Sequence, residues 1–172
     1  MLAVRAASKL ASKVKKLALY EPPFILDDSR PPLPGDYVAQ LNAAIAAGNR
    51  GKAAEIFLVQ AVGIPAEYVD GMRADPSWAE MEKVAHTIAY DGSIMADTMS
   101  GKPLSPEFVK QVSGATMPTL VMDGGNSEKF FHDAAQTLTD LLPHVEHRTL
   151  AGQDHAVAND VLVPALSAFF NK

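Results

Sequence analysis

The chain has 172 residues, 48% apolar and 20% charged, with a net charge of −5 and no cysteine. That composition describes an ordinary globular domain able to bury roughly 70% of its unfolded surface. It excludes disulfides, thiolate nucleophiles and cysteine zinc sites, and no apolar run reaches the about 18 residues that a membrane helix needs.

The charge is unevenly spread. Arg5, Lys9, Lys13, Lys15 and Lys16 fall in the first 20 residues, which contain no acid. The remainder holds ten basic against twenty acidic residues. An acidic body is the wrong surface for nucleic acid, where phosphate contacts need a basic face. Basic, serine-containing and acid-free, the opening stretch has the composition of a targeting presequence. Its pattern points elsewhere. Leu2, Ala3, Ala6, Ala7, Leu10, Ala11 and Val14 repeat at helical spacing and predict a helix over 2–14. The period then changes at once to a short apolar run, Lys16-Leu17-Ala18-Leu19-Tyr20, closed by Glu21-Pro22-Pro23. A strand buried on both faces reads this way. A helix feeding directly into such a strand is half of a βαβ crossover, not an address label. With no targeting segment and no cysteine, the expected location is cytoplasmic.

Residues 24–35 form a proline-rich loop, followed by a long helical stretch. Asp36 is placed to cap a helix over 37–47, ended by Gly48. A second helix is predicted over 52–62, stopped by Gly63-Ile64-Pro65, and a short third over 66–73. Asp75-Pro76 suits the start of a fourth, running to about Ala89, with Gly92 as an interruption. A further turn or two is expected over 106–113. Then Pro118-Thr119-Leu120-Val121-Met122 reads as a second buried strand, closed by Asp123-Gly124-Gly125. Ser127 is the expected N-cap of a helix to Leu142. Val145–Leu150 is a third strand, and a final helix runs over 159–170. Strands alternating with helices imply a parallel sheet. The expected organisation is one domain: a core of 1–23 and 114–172, interrupted by a helical insertion at 24–113.

In such proteins ligands collect at the carboxyl ends of the strands. Those ends carry Glu21, then Asp123 to Ser127, then Gln153-Asp154-His155. A histidine and a carboxylate on neighbouring strand ends can serve as base and orienter for a nucleophile. His155 is the candidate base, with Glu21 and Asp123 as candidate acids and Asp97 a remoter one. His86, His132, His144 and His147 fall on helices or surface elements without HxxxH or HxH spacing, so neither a metal nor any other cofactor is expected.

The order LALYEPPF, helical insertion, PTLVMDGG, then HRTLAGQDHAV with a closing helix resembles the C-terminal half of the α/β-hydrolases, and is closest to their esterase-like branch. The resemblance implies a serine–acid–histidine triad in that chain order. His155 matches the family histidine. The usual acid position, just past the PTLVM strand, holds Asn126 and Ser127, so Glu21, at the end of the preceding strand, is favoured over Asp123. The 24–113 segment matches the family's cap, whose apolar helices would line a pocket for a small apolar ester. The departure is the nucleophile: no GxSxG elbow occurs, and residues 2–14 match the helix that follows it. Ser8, Ser12 and Ser93 read as helix-surface serines. The expectation is therefore a partial α/β-hydrolase fold with an incomplete triad, weakly active or inactive alone. The alternative is a non-catalytic oligomer holding a small apolar ligand under the cap. An unpaired β-edge at 16–20 implies self-association, two copies pairing edge to edge.

Overall fold

A computed structural model describes residues 1–172 and resolves two compact units, Met1–Pro31 with Asp97–Lys172, and Pro32–Ala96.

The first unit is built on a three-stranded parallel sheet in the order β1 (Leu17–Tyr20), β2 (Thr119–Gly124), β3 (Val145–Leu150). Leu17 aligns with Thr119 and Tyr20 with Met122; Thr119 aligns with Val145 and Gly124 with Leu150. β2 is buried along its whole length, as its unbroken apolar run requires. Alternation divides its side chains between two layers. Val121 packs with Leu17 and Leu19 against α1 (Leu2–Lys9), α7 (Pro106–Ser113) and α8 (Lys129–Leu141). Leu120 and Met122 face α9 (Asn159–Phe170), where Phe169 is buried. The helix predicted over 2–14 stops at Lys9; its last residues close instead as a turn, with Lys13 and Val14 N–H both donating to the Leu10 carbonyl. That turn delivers the chain into β1.

α8 begins at Lys129, so Ser127 is not its N-cap. Glu128 holds the N-cap position and its side chain makes no capping bond. Ser127 is used elsewhere, as described below.

The second unit is helical: α2 (Tyr37–Ala46), α3 (Arg50–Ile56), α4 (Ala66–Arg73), α5 (Ser77–Val84) and α6 (Ile88–Met95). Gly48, at φ +71°, ends the α2 segment, and Asn49 caps α3 by accepting from the Lys52 N–H at 2.9 Å. The predicted helix over 52–62 is two structures, α3 followed by a π-helix at Phe57–Val62 that ends on Gly63 at φ +86°. Pro76, not Asp75, holds the N-cap position of α5; Asp75 lies one residue earlier and accepts from the Ser77 N–H at 2.8 Å in the turn that enters the helix. The helix after it breaks at a 3₁₀ turn, Ala85–Thr87, not at Gly92. Gly92 lies inside α6, where a Cβ would sit 3.0 Å from the Tyr37 ring.

Candidate active site

Glu21 leaves β1 at the point where two prolines prevent the strand from continuing. It is the only non-glycine residue with a positive φ, at +43°, and it is 2% exposed. A buried carboxylate is tolerated only when hydrogen-bonded, and this one is served on both oxygens. Oε1 accepts from the Gly124 N–H at 2.7 Å and from the Ser127 hydroxyl. Oε2 lies 2.8 Å from Nδ1 of His155. An ionised carboxylate can only accept, so with Glu21 ionised and the ring neutral this contact assigns the proton to Nδ1 and the lone pair to Nε2.

The His155 ring is also held by its face. Phe131, from α8, stacks on it at 4.7 Å between centroids and 12° between planes. The loop that carries His155 is tied to the sheet. Tyr20, last residue of β1, donates its hydroxyl to the Asp154 carbonyl. The Asn126 N–H donates to the Gln153 carbonyl at 2.8 Å, and the Gln153 side chain accepts from the Ala158 N–H at 2.9 Å. Gly124 permits the closest approach: a Cβ there would fall 2.5 Å from the Gln153 carbonyl oxygen. Burial, then the Glu21 charge beside it, push the Tyr20 phenol up to about 12. The His155 side chain remains 69% exposed and borders an open cavity of about 410 Å³ with Asn126, Ser127, Glu128, Phe131 and Asp154.

The sequence candidates thus separate. Glu21 and His155 meet, 134 residues apart in the chain. Asp123 does not join them. Strand alternation turns it to the α8 side of the sheet with Val121, where it is 1% exposed. Its Oδ1 accepts from Thr149 at 3.0 Å and lies 2.8 Å from His147 Nε2, while Oδ2 pairs with His132 Nδ1. Two histidines read as surface residues are therefore partners of one buried carboxylate. Asp97 is exposed and pairs with Arg5 at 3.4 Å. His86 reaches only the Lys83 carbonyl, 3.1 Å away on the same helical segment. Ser8 and Ser93 bond back to the carbonyls of Val4 and Ala89, as helix serines do. Nothing in the sequence singled out Phe131 or gave Ser127 its role on Glu21; both act through contacts more than twenty residues away. No group of three or more His, Asp or Glu is arranged to hold a metal ion.

The arrangement can take up and return a proton at Nε2 of an imidazole held in one orientation. It contains no hydroxyl hydrogen-bonded to that nitrogen; Ser127, which lines the same cavity, donates its proton to Glu21.

No protein-family model and no curated protein matches the sequence. Among solved structures the chain resembles an alpha/beta hydrolase from Sphaerobacter thermophilus, at 40% identity and a TM-score of 0.80, over 98% of this chain and 63% of that one. It also resembles the 2-hydroxy-6-oxo-6-phenylhexa-2,4-dienoate hydrolase of Rhodococcus sp. strain RHA1, at 19% identity and a TM-score of 0.51, over 98% of this chain and 59% of that one. The second likeness is one of fold alone. The chain spans less than two thirds of the length of either protein.

Proposed function

Since this chain carries part of an α/β-hydrolase fold, we propose that it supplies the acid and the base of a serine-hydrolase site acting on carboxylic esters. The observation that carries the reading is the contact between a fully buried Glu21 carboxylate and Nδ1 of an exposed His155. In this reading Nε2 of His155 takes the proton of a nucleophilic hydroxyl as that oxygen attacks the ester carbonyl. His155 then returns the proton to the departing alcohol oxygen. Glu21 holds the ring in the tautomer that makes Nε2 the base, and it stabilises the imidazolium that forms. The nucleophile is assigned to a serine outside these 172 residues, because no serine of the chain is hydrogen-bonded to His155. Alone, the chain is expected to hydrolyse esters little faster than free imidazole.

The test is complementation. The chain is assayed with short p-nitrophenyl esters, alone and fused to the portion of the Sphaerobacter thermophilus hydrolase that it does not cover. The expected result is near-background rates alone, and hydrolysis in the fusion that disappears with His155→Ala. Fusions with and without that substitution working equally fast would overturn the proposal.

A further inference from the structure

We infer that Ser127 is the positioning residue of this site: its hydroxyl fixes the rotation of the Glu21 carboxylate and so aims Oε2 at His155. The inference rests on the acid–base reading above and goes beyond it by assigning a role to a residue outside the pair.

The terminal torsion of a glutamate is broad, and staggering does little to set the plane of its carboxylate. That plane decides whether Oε2 points at Nδ1. Here it is set through the other oxygen. Residues Gly124 to Ser127 form a tight turn, closed by the Ser127 N–H donating to the Gly124 carbonyl at 3.1 Å. The turn brings its two ends together, and both ends present a donor to Oε1: the Gly124 N–H at one end and the Ser127 hydroxyl at the other. Two donors converging on one oxygen restrain the carboxylate against rotation, and Oε2 is left with His155 as its hydrogen-bond partner. One donor alone would leave the group free to swing about that bond.

A purely structural reading of Ser127 meets a difficulty. A serine two residues before α8 is well placed to cap a helix, yet the helix starts at Lys129 and takes nothing from this side chain. The hydroxyl donates across 106 residues of sequence to the one buried carboxylate that faces His155. Its loss removes a charge-assisted hydrogen bond and leaves helix capping untouched.

The experiment is solution NMR of the 172-residue chain with nitrogen-labelled histidine. The readout is the downfield Nδ1–H proton of His155 and its rate of exchange with water. Wild type is expected to show the resonance and Glu21→Gln to lose it. In Ser127→Ala, with the rest of the spectrum still dispersed, exchange should be at least about tenfold faster, the scale of one lost hydrogen bond to a charged group. Ser127→Thr, which keeps the hydroxyl, should restore the wild-type rate. Wild-type exchange in Ser127→Ala would overturn the role of Ser127 while leaving the pair intact. A resonance that Glu21→Gln does not change would overturn the pair, and with it both this inference and the proposed function. If Ser127→Ala fails to fold, Ser127→Cys gives the same comparison, since a thiol fills the space but donates weakly; wild-type exchange there would again overturn the inference.

Discussion

Glu21 combines two costs that a protein normally avoids, a positive φ on a residue with a side chain and a carboxylate out of reach of water. Each is of the size that surrounding structure must over-determine, and here three donors do so. In the complemented enzyme, Glu21→Gln keeps the shape but turns an acceptor into a donor toward Nδ1, favouring the wrong tautomer. We expect a fall in kcat on the order of 10³- to 10⁴-fold with little change in KM, measured by ester hydrolysis. Tyr20 responds first to its own burial and then to the same carboxylate. Its phenol is raised from near 10 to about 12, so the folded chain keeps a proton there that the unfolded chain has released. The contribution to stability is therefore complete below pH 10 and is lost between about 10 and 12. The difference in alkaline ultraviolet titration between wild type and Tyr20→Phe should have its midpoint near 12; a midpoint near 10 would show that neither burial nor the carboxylate acts on Tyr20. At this scale the sequence was readable where position alone decides. Glu21 follows β1 directly and His155 lies in the loop after β3, and loops at the same end of a parallel sheet converge. Ser127 and Asp123 are less legible because their partners lie in other elements: local pattern makes Ser127 a helix cap, while it bonds to Glu21, and leaves Asp123 open as a second acid, while alternation turns it toward His147 and Thr149.

The elements differ in how fully a local pattern determines them. β2, β3 and α9 fall within a residue or two of their sequence reading, the strands because turn-forming residues bound each of them: Asp123-Gly124-Gly125 after β2, Pro143 and Ala151-Gly152 around β3. The π-helix at Phe57–Val62 left no such trace, since π and α geometries accept the same apolar residues and differ only in where one extra residue is accommodated. The early stop of α1 is similar: Leu10, Ala11 and Val14 continue the helical period, but the chain must turn to enter β1. The turn after β2 is where an element and the site depend on each other. Gly124 ends the strand, gives its N–H to Glu21 and lies so close to the Gln153 backbone that a methyl group would meet its carbonyl oxygen at 2.5 Å. A backbone carbonyl cannot rotate away as a side chain can. Gly124→Ala should therefore cost about 1–3 kcal/mol, read as a Tm lowered by several degrees. It should also displace the His155 loop, abolishing complemented hydrolysis. A variant as stable as wild type would mean that the Gln153 segment yields more freely than its tie to Asn126 implies.

On the scale of the molecule, the class of fold was legible because parallel strands joined by helices leave few arrangements for a chain of this length. What covers the edge of the sheet was not, and the structure sharpens the question. β1 pairs with β2 alone. The N–H groups of Leu17 and Glu21 donate to Pro118 and Met122 on the β2 side. By the two-residue period, those of Ala18 and Tyr20 point to the open edge. α1 packs on β1; Leu2 within it and Leu10 just past its end are 63% and 46% exposed. An unpaired parallel edge is a template for another chain. As 172 residues, the protein is therefore expected to self-associate through β1, two copies pairing about a two-fold axis. Light scattering should give about twice the 18.3 kDa of one chain at micromolar concentration. The substitution that distinguishes this edge from any other contact is Ala18→Pro. Proline removes an N–H that β2 does not use, so the ladder within the chain survives while the outward template is broken. The variant should stay folded by circular dichroism and shift to the mass of one chain. A wild type that is monomeric throughout, or a dimer indifferent to Ala18→Pro, would place the covering of this edge elsewhere.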